Sequence, residues 1–209
     1  MLFKFFKISM LTNKFNHNNF FFTDHLNEAI EYNIKKFKNL SIIFKNNYNQ
    51  DFNLENFIKI KKFCARNKIK LYMMDNFRTA IKFKTDGIYY SSTNNKIDIS
   101  YKNSFKIIGS AHSQREYYFK KKQRCEYIFL SPLFKNIKYS DNQILNPIKF
   151  NLMSLHWKVN LIALGGINTG NFKKVYLTKS QAIAFISWMN TTKIKKPVHF
   201  NNVRALKLN

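Results

Sequence analysis

Two groups of residues have the types and spacing to do chemistry. His112 stands directly before Ser113 and Glu116, a Ser-x-x-Glu pattern that caps helix starts. An imidazole there can take and return a proton; it can equally serve only to satisfy backbone groups beside the helix start. The second group is LIALGGINTGN at 161–171, where four apolar residues run into Gly165 and Gly166. The chain has only 5 glycines, and three of them, Gly165, Gly166 and Gly170, lie in this stretch. Glycines after an apolar run let backbone N–H groups approach a ligand, and a following helix N-terminus would favour an anion such as phosphate. A plain strand-to-helix turn would use the same residues.

The elements that must position these groups follow an even rhythm from residue 19 onward. Short apolar runs at 20–22, 40–44, 70–74, 87–90, 106–108, 127–130, 161–164 and 182–186 alternate with helical patterns, among them 26–37, 54–66, 77–83 and 172–177. Eight such runs separated by crossovers predict a parallel sheet, and eight is the number that closes an α/β barrel. In that fold the active site lies at the C-terminal ends of the strands, and phosphate is held after the seventh and eighth. The seventh run ends at the glycine pair. Residues 1–18 read as an N-terminal extension and 19–209 as one barrel domain, with a final short helix expected near 200–208.

Composition narrows the partners. The 209 residues carry 36 Lys and Arg against 11 Asp and Glu, a formal charge of +25. Lys, Asn, Phe, Ile and Tyr are abundant while Gly and Pro are scarce, the pattern produced by codon drift toward A and T. Because the lysines are spread along the whole length, a dedicated nucleic-acid role is disfavoured. Cys64 and Cys125 are the only cysteines and lack metal-ligand spacing, which points to a reduced, cytoplasmic setting. No run reaches the roughly 18 apolar residues of a membrane span, so no membrane partner is expected.

YIFLSPLF at 127–134, ALGGIN at 163–168 and AIAFIS at 182–187 together resemble the last three strands of the thiamin phosphate synthase/TenI family. IGSAHSQRE at 108–116 resembles its fifth strand, and TDGIYY at 85–90 its fourth. The resemblance implies a (β/α)8 barrel that handles a small phosphorylated thiazole. It assigns Gly165, Gly166, Ile186 and Ser187 to the phosphate, Ser110 to the substrate, and His112 to a proton-carrying role like that proposed in TenI-type tautomerases.

The diphosphate end of such synthases is less well matched. Where the family has an Arg and a Lys after the second strand, this chain has Lys45 and Asn47. Of its two metal carboxylates, Asp75 is retained and the other is replaced by Asn94. Its Thr-x-Thr-Lys after the sixth strand aligns with residues 136–139, so that Asn136 and Lys138 remain as substrate-binding candidates. Asp75 alone makes a weak Mg²⁺ ligand set. The resemblance therefore implies a TenI-like thiazole isomerase working without metal, a thiamin phosphate synthase that needs Mg²⁺, or a non-catalytic phosphate-binding barrel. Homo-oligomers are compatible with each.

Overall fold

The computed structural model describes residues 19–37, 39–45, 52–97, 105–137, 139–168, 170–187 and 189. The N-terminal extension, Asn47, Lys138 and the helix expected at 200–208 lie outside the described residues.

Eight parallel strands form a closed barrel in sequence order, with β8 pairing to β1 as well as to β7. The strands are β1 (Asn19–Thr23), β2 (Leu40–Phe44), β3 (Lys70–Met74), β4 (Gly87–Tyr90), β5 (Lys106–Ala111), β6 (Tyr127–Leu130), β7 (Asn160–Leu164) and β8 (Ala182–Phe185). The helices between them are α1 (Glu28–Ile34), α2 (Leu54–Asn67), α3 (Phe77–Lys82), α4 (Gln114–Lys122), α5 (Asn146–His156) and α6 (Phe172–Val175). The barrel expected from the eight apolar runs is present. Several elements differ in extent from the sequence expectation: α1 spans Glu28–Ile34 rather than 26–37, β5 runs on through Gly109, Ser110 and Ala111, and α6 is only 4 residues long.

Local chemistry explains where the helices begin. Asn27, Asn53, Asn76 and Ser113 each accept a hydrogen bond from a backbone N–H in the first turn of the following helix, satisfying a donor that would otherwise have no partner. In a chain this poor in glycine, left-handed positions are taken by Asn39, Lys68, Asp75, Lys84, Arg124 and Asn146. Asn and Asp visit that region more readily than other non-glycine residues; Lys and Arg do so at some cost.

The core has two layers, as strand alternation requires. Side chains pointing outward pack beneath the helices, with Phe44, Phe57, Ile60, Phe63, Phe150 and Phe172 buried there. Trp157, placed by sequence between a helix and the barrel, is buried and stacked on Tyr117 at 4.4 Å, whereas His156 beside it is exposed. Inside the barrel, Phe20, Phe22, Tyr72, Tyr89, Ile108, Phe129 and Ile162 fill the lumen. Phe129 meets Phe20 at 5.0 Å and Tyr89 at 5.3 Å edge to face, a favoured geometry for aromatic pairs. Gly87 makes room for this packing, since a Cβ there would lie 2.7 Å from the Tyr72 ring and 2.2 Å from the Lys106 carbonyl. Phe129→Ala is expected to lower stability by about 3–5 kcal/mol in urea unfolding. A loss below about 1 kcal/mol would contradict a filled lumen.

Candidate functional site

The barrel's alternation selects which residues reach its mouth. Ile43, Ile108, Leu164 and Ala184 point into the lumen, so the same inward series continues two or four residues later through Lys45, Ser110, His112, Gly166 and Ile186. Parallel strands in a closed barrel all end at one rim, which brings these residues together with Asp75 after β3 and Ser187 after β8. Asn136 lies on the same rim after β6, and Ser110 is buried at 4 % exposure. Lys45 donates its backbone N–H to Thr23 across the β1–β2 step. Beside it is the exposed pair of Asp24 and His25, whose Oδ1 and Nδ1 lie 2.6 Å apart. Burial raises the Asp24 carboxyl pKa, but the His25 hydrogen bond and the Lys45 charge outweigh it, and the net shift is downward.

His112 is held on three sides. Glu116 Oε2 accepts from the His112 backbone N–H at 2.5 Å and lies 3.1 Å from the ring Nδ1. The expected capping pattern is thus half realised: Ser113 accepts from the Glu116 N–H, while the carboxylate reaches back to His112. A carboxylate beside Nδ1 fixes the proton on that nitrogen, leaving Nε2 as the bare, basic one. The Tyr139 hydroxyl faces Nε2 at 3.3 Å, and it donates when Nε2 is bare. Sequence reasoning missed Tyr139, although it sits where the family pattern calls for a Lys.

Asp75 is engaged with the loop after β4. Its φ of 54° turns the backbone out of the strand, and its Oδ1 accepts from the Ser91 N–H at 2.9 Å and from the Asn94 Nδ2 at 2.8 Å. The Asn94 side-chain oxygen Oδ1 accepts from the Lys96 N–H. The structure therefore brings Asp75 and Asn94 together, but with a donor where a second metal carboxylate would stand. Among the described residues no three His, Cys, Asp or Glu side chains group to hold a metal. Mg²⁺ requires oxygen ligands in near-octahedral geometry, and these residues do not fit it.

The glycine pair follows β7 with φ of +93° and +68°. A Cβ on Gly166 would lie 2.3 Å from the Phe134 carbonyl oxygen and 2.7 Å from that of Lys135, so the close approach it allows is to the loop after β6. That loop is stitched to β7 by Leu133 and Phe134 N–H groups donating to Leu164 and Gly165. The helix after the pair starts at Phe172, where the sequence placed it. Asn168 and Asn171 form a turn first, and α6 is too short to offer a helix N-terminal anion site. Any cradle is built from backbone N–H groups, and those of Gly166 and Ser187 meet no acceptor among the described residues.

With this geometry in place, comparison with known proteins identifies the class. Residues 17–189 match the family described as thiamine monophosphate synthase, and the chain belongs to that family of enzymes. It is 26% identical over 135 residues to the thiamine-phosphate synthase of Staphylococcus haemolyticus, an alignment covering 62% of this chain and 63% of that relative. Its fold resembles the thiamine phosphate pyrophosphorylase of Pyrococcus furiosus, with a TM-score of 0.61 at 19% identity over 85% of this chain and 88% of that one. The Bacteroides thetaiotaomicron pyrophosphorylase aligns with a TM-score of 0.53 at 13% identity, covering 87% and 89%. The YdjI aldolase from Escherichia coli K12 gives a TM-score of 0.60 at 12% identity, covering 88% and 80%, so shape alone carries the fold and no more.

Gly166→Ala combines positive φ with a backbone clash and should cost about 1–3 kcal/mol. Gly170→Ala, whose added Cβ would meet only the Asn168 side chain at 3.2 Å, should stay within about 0.5 kcal/mol. Urea midpoints of the two variants check this, and equal losses would contradict the packing role of Gly166.

Proposed function

We propose that the chain binds a phosphorylated thiazole at this rim and isomerises it by proton transfer, in the manner of the TenI branch of its family. The reading rests on one observation: Glu116 orients His112 so that Nε2 is the basic nitrogen, with the Tyr139 hydroxyl as its partner. Nε2 takes a proton from one atom of the substrate and returns it to another, so the product is an isomer and no group is lost. The imidazolium formed in between is stabilised by the Glu116 carboxylate. The phosphate is assigned to Gly166, Ile186 and Ser187, with Ser110 beneath the ring. Lys45 and Asn136 stand on the remaining arc.

A second reading, thiamin phosphate synthesis, is favoured by the activities named for the similar proteins. It requires Mg²⁺ and a pyrimidine diphosphate, and the donor set at Asp75 and Asn94 counts against it. Lys45 is the described cation on that side of the rim, while Lys138 lies outside the described residues.

Incubation with thiazole phosphate carboxylate in D₂O, followed by NMR, reads proton transfer directly. His112→Asn should lower turnover by about 10²–10⁴-fold with substrate affinity retained. Unchanged turnover would overturn the assignment, and formation of thiamin phosphate only when pyrimidine diphosphate and Mg²⁺ are supplied would establish the synthase reading instead. Ser187→Asp, which sets a carboxylate against the phosphate, should weaken thiazole phosphate binding about tenfold or more in calorimetric titration. Equal affinity in the two folded proteins would remove the cradle.

A further inference from the structure

Lys120 is a fully buried lysine (0 % exposed) on the face of α4 turned to the barrel. Its Nζ donates to the carbonyl oxygens of Ser91 at 2.6 Å and Asn94 at 2.7 Å and to Gln123 Oε1 at 3.0 Å, which engages all three of an ammonium's donors. Gln123 adds bonds from Nε2 to Asn94 O at 2.8 Å and Lys96 O at 2.7 Å. Two side chains from the end of one helix thus close on the loop after β4. The opposite side of that loop holds Asp75 through the Ser91 N–H and the Asn94 amide. Burial of an ammonium is tolerated only when its donors are met and counter-charge is near. Burial pushes the Lys120 pKa down, opposed by Cys125, Asp75 and Glu116.

We propose that the oxygens of Ser91, Asn94 and Gln123 form a cation site that the protein fills with its own Lys120 ammonium, and that this internal cation sets the loop after β4 against Asp75 in place of a divalent metal. Lys120 is then a positioning residue. The proposal stands whichever reaction the rim performs, because it concerns the loop and not the substrate. It explains why an amide suffices at Asn94: with the loop's carbonyl oxygens already bound from behind by an ammonium, a second carboxylate and its metal are not needed to hold it.

Lys120→Ala removes the equivalent of n-propylammonium. Added n-propylammonium should raise the melting temperature of this variant by about 2–4 °C or more and leave the wild type unmoved, while NaCl at equal ionic strength should not substitute. In parallel, Mn²⁺ is titrated by electron paramagnetic resonance into wild type, Asp75→Asn and Lys120→Met, which fills the volume without the charge. Wild type should show no Mn²⁺ binding that depends on Asp75, while Lys120→Met, which lacks the ammonium charge, should show it, with n-propylammonium unable to compete because the methionine chain occupies its place. A folded Lys120→Ala that propylammonium does not rescue would overturn the proposal. So would wild-type Mn²⁺ binding abolished by Asp75→Asn, a measurement that needs no Lys120 variant to fold.

Discussion

Because β8 pairs with β1 as well as with β7, the sheet has no free edge and every strand must deliver its C-terminal end to the same circle. This closure puts residues as distant in sequence as Lys45, His112 and Ser187 on one rim. It also divides the barrel along its axis. The lumen is packed with aromatic rings in edge-to-face contact, so a ligand has access to the rim but not to the interior. Polar side chains start where the lumen packing stops, at Ser110 and the residues beyond it.

One helix organises much of that rim. From α4, Glu116 reaches back to orient His112, and one turn later Lys120 and Gln123 hold the loop that engages Asp75. The i, i+4 spacing of Glu116 and Lys120 puts both on the same face, so His112 and the Asp75–Asn94 side of the rim are fixed by a single rigid element. Groups that must hold a geometry for chemistry are best mounted in this way. The rim carries at this place a carboxylate–amide pair, Asp75 and Asn94, backed by a lysine.

The barrel was legible because buried parallel strands are short apolar runs, and β2, β3, β4 and β6 begin and end where those runs do. β5 outran its apolar pattern because Gly109, Ser110 and Ala111 resemble a turn, yet small residues at the end of a buried strand continue the ladder when the next strand pairs with them. His112 and the capping serine were readable from local spacing. Tyr139 and Lys120 were not, since both matter through partners far away in sequence. A lysine on the apolar stripe of α4, beside buried Tyr117, was the available signal, and it was masked by the lysine-rich composition. Gly166 was noticed for the right property and given an incomplete reason: its lack of a side chain is required by the backbone of the neighbouring loop.

The central claim is that a phosphorylated thiazole spans this rim from the β7–β8 side to His112. A crystal structure of the protein with thiazole phosphate bound tests it most directly. The account predicts phosphate oxygens within hydrogen-bonding distance of the Gly166 and Ser187 N–H groups and the ring against His112 Nε2. A ligand seated elsewhere, or a phosphate in the cradle with its ring out of reach of His112, would contradict it.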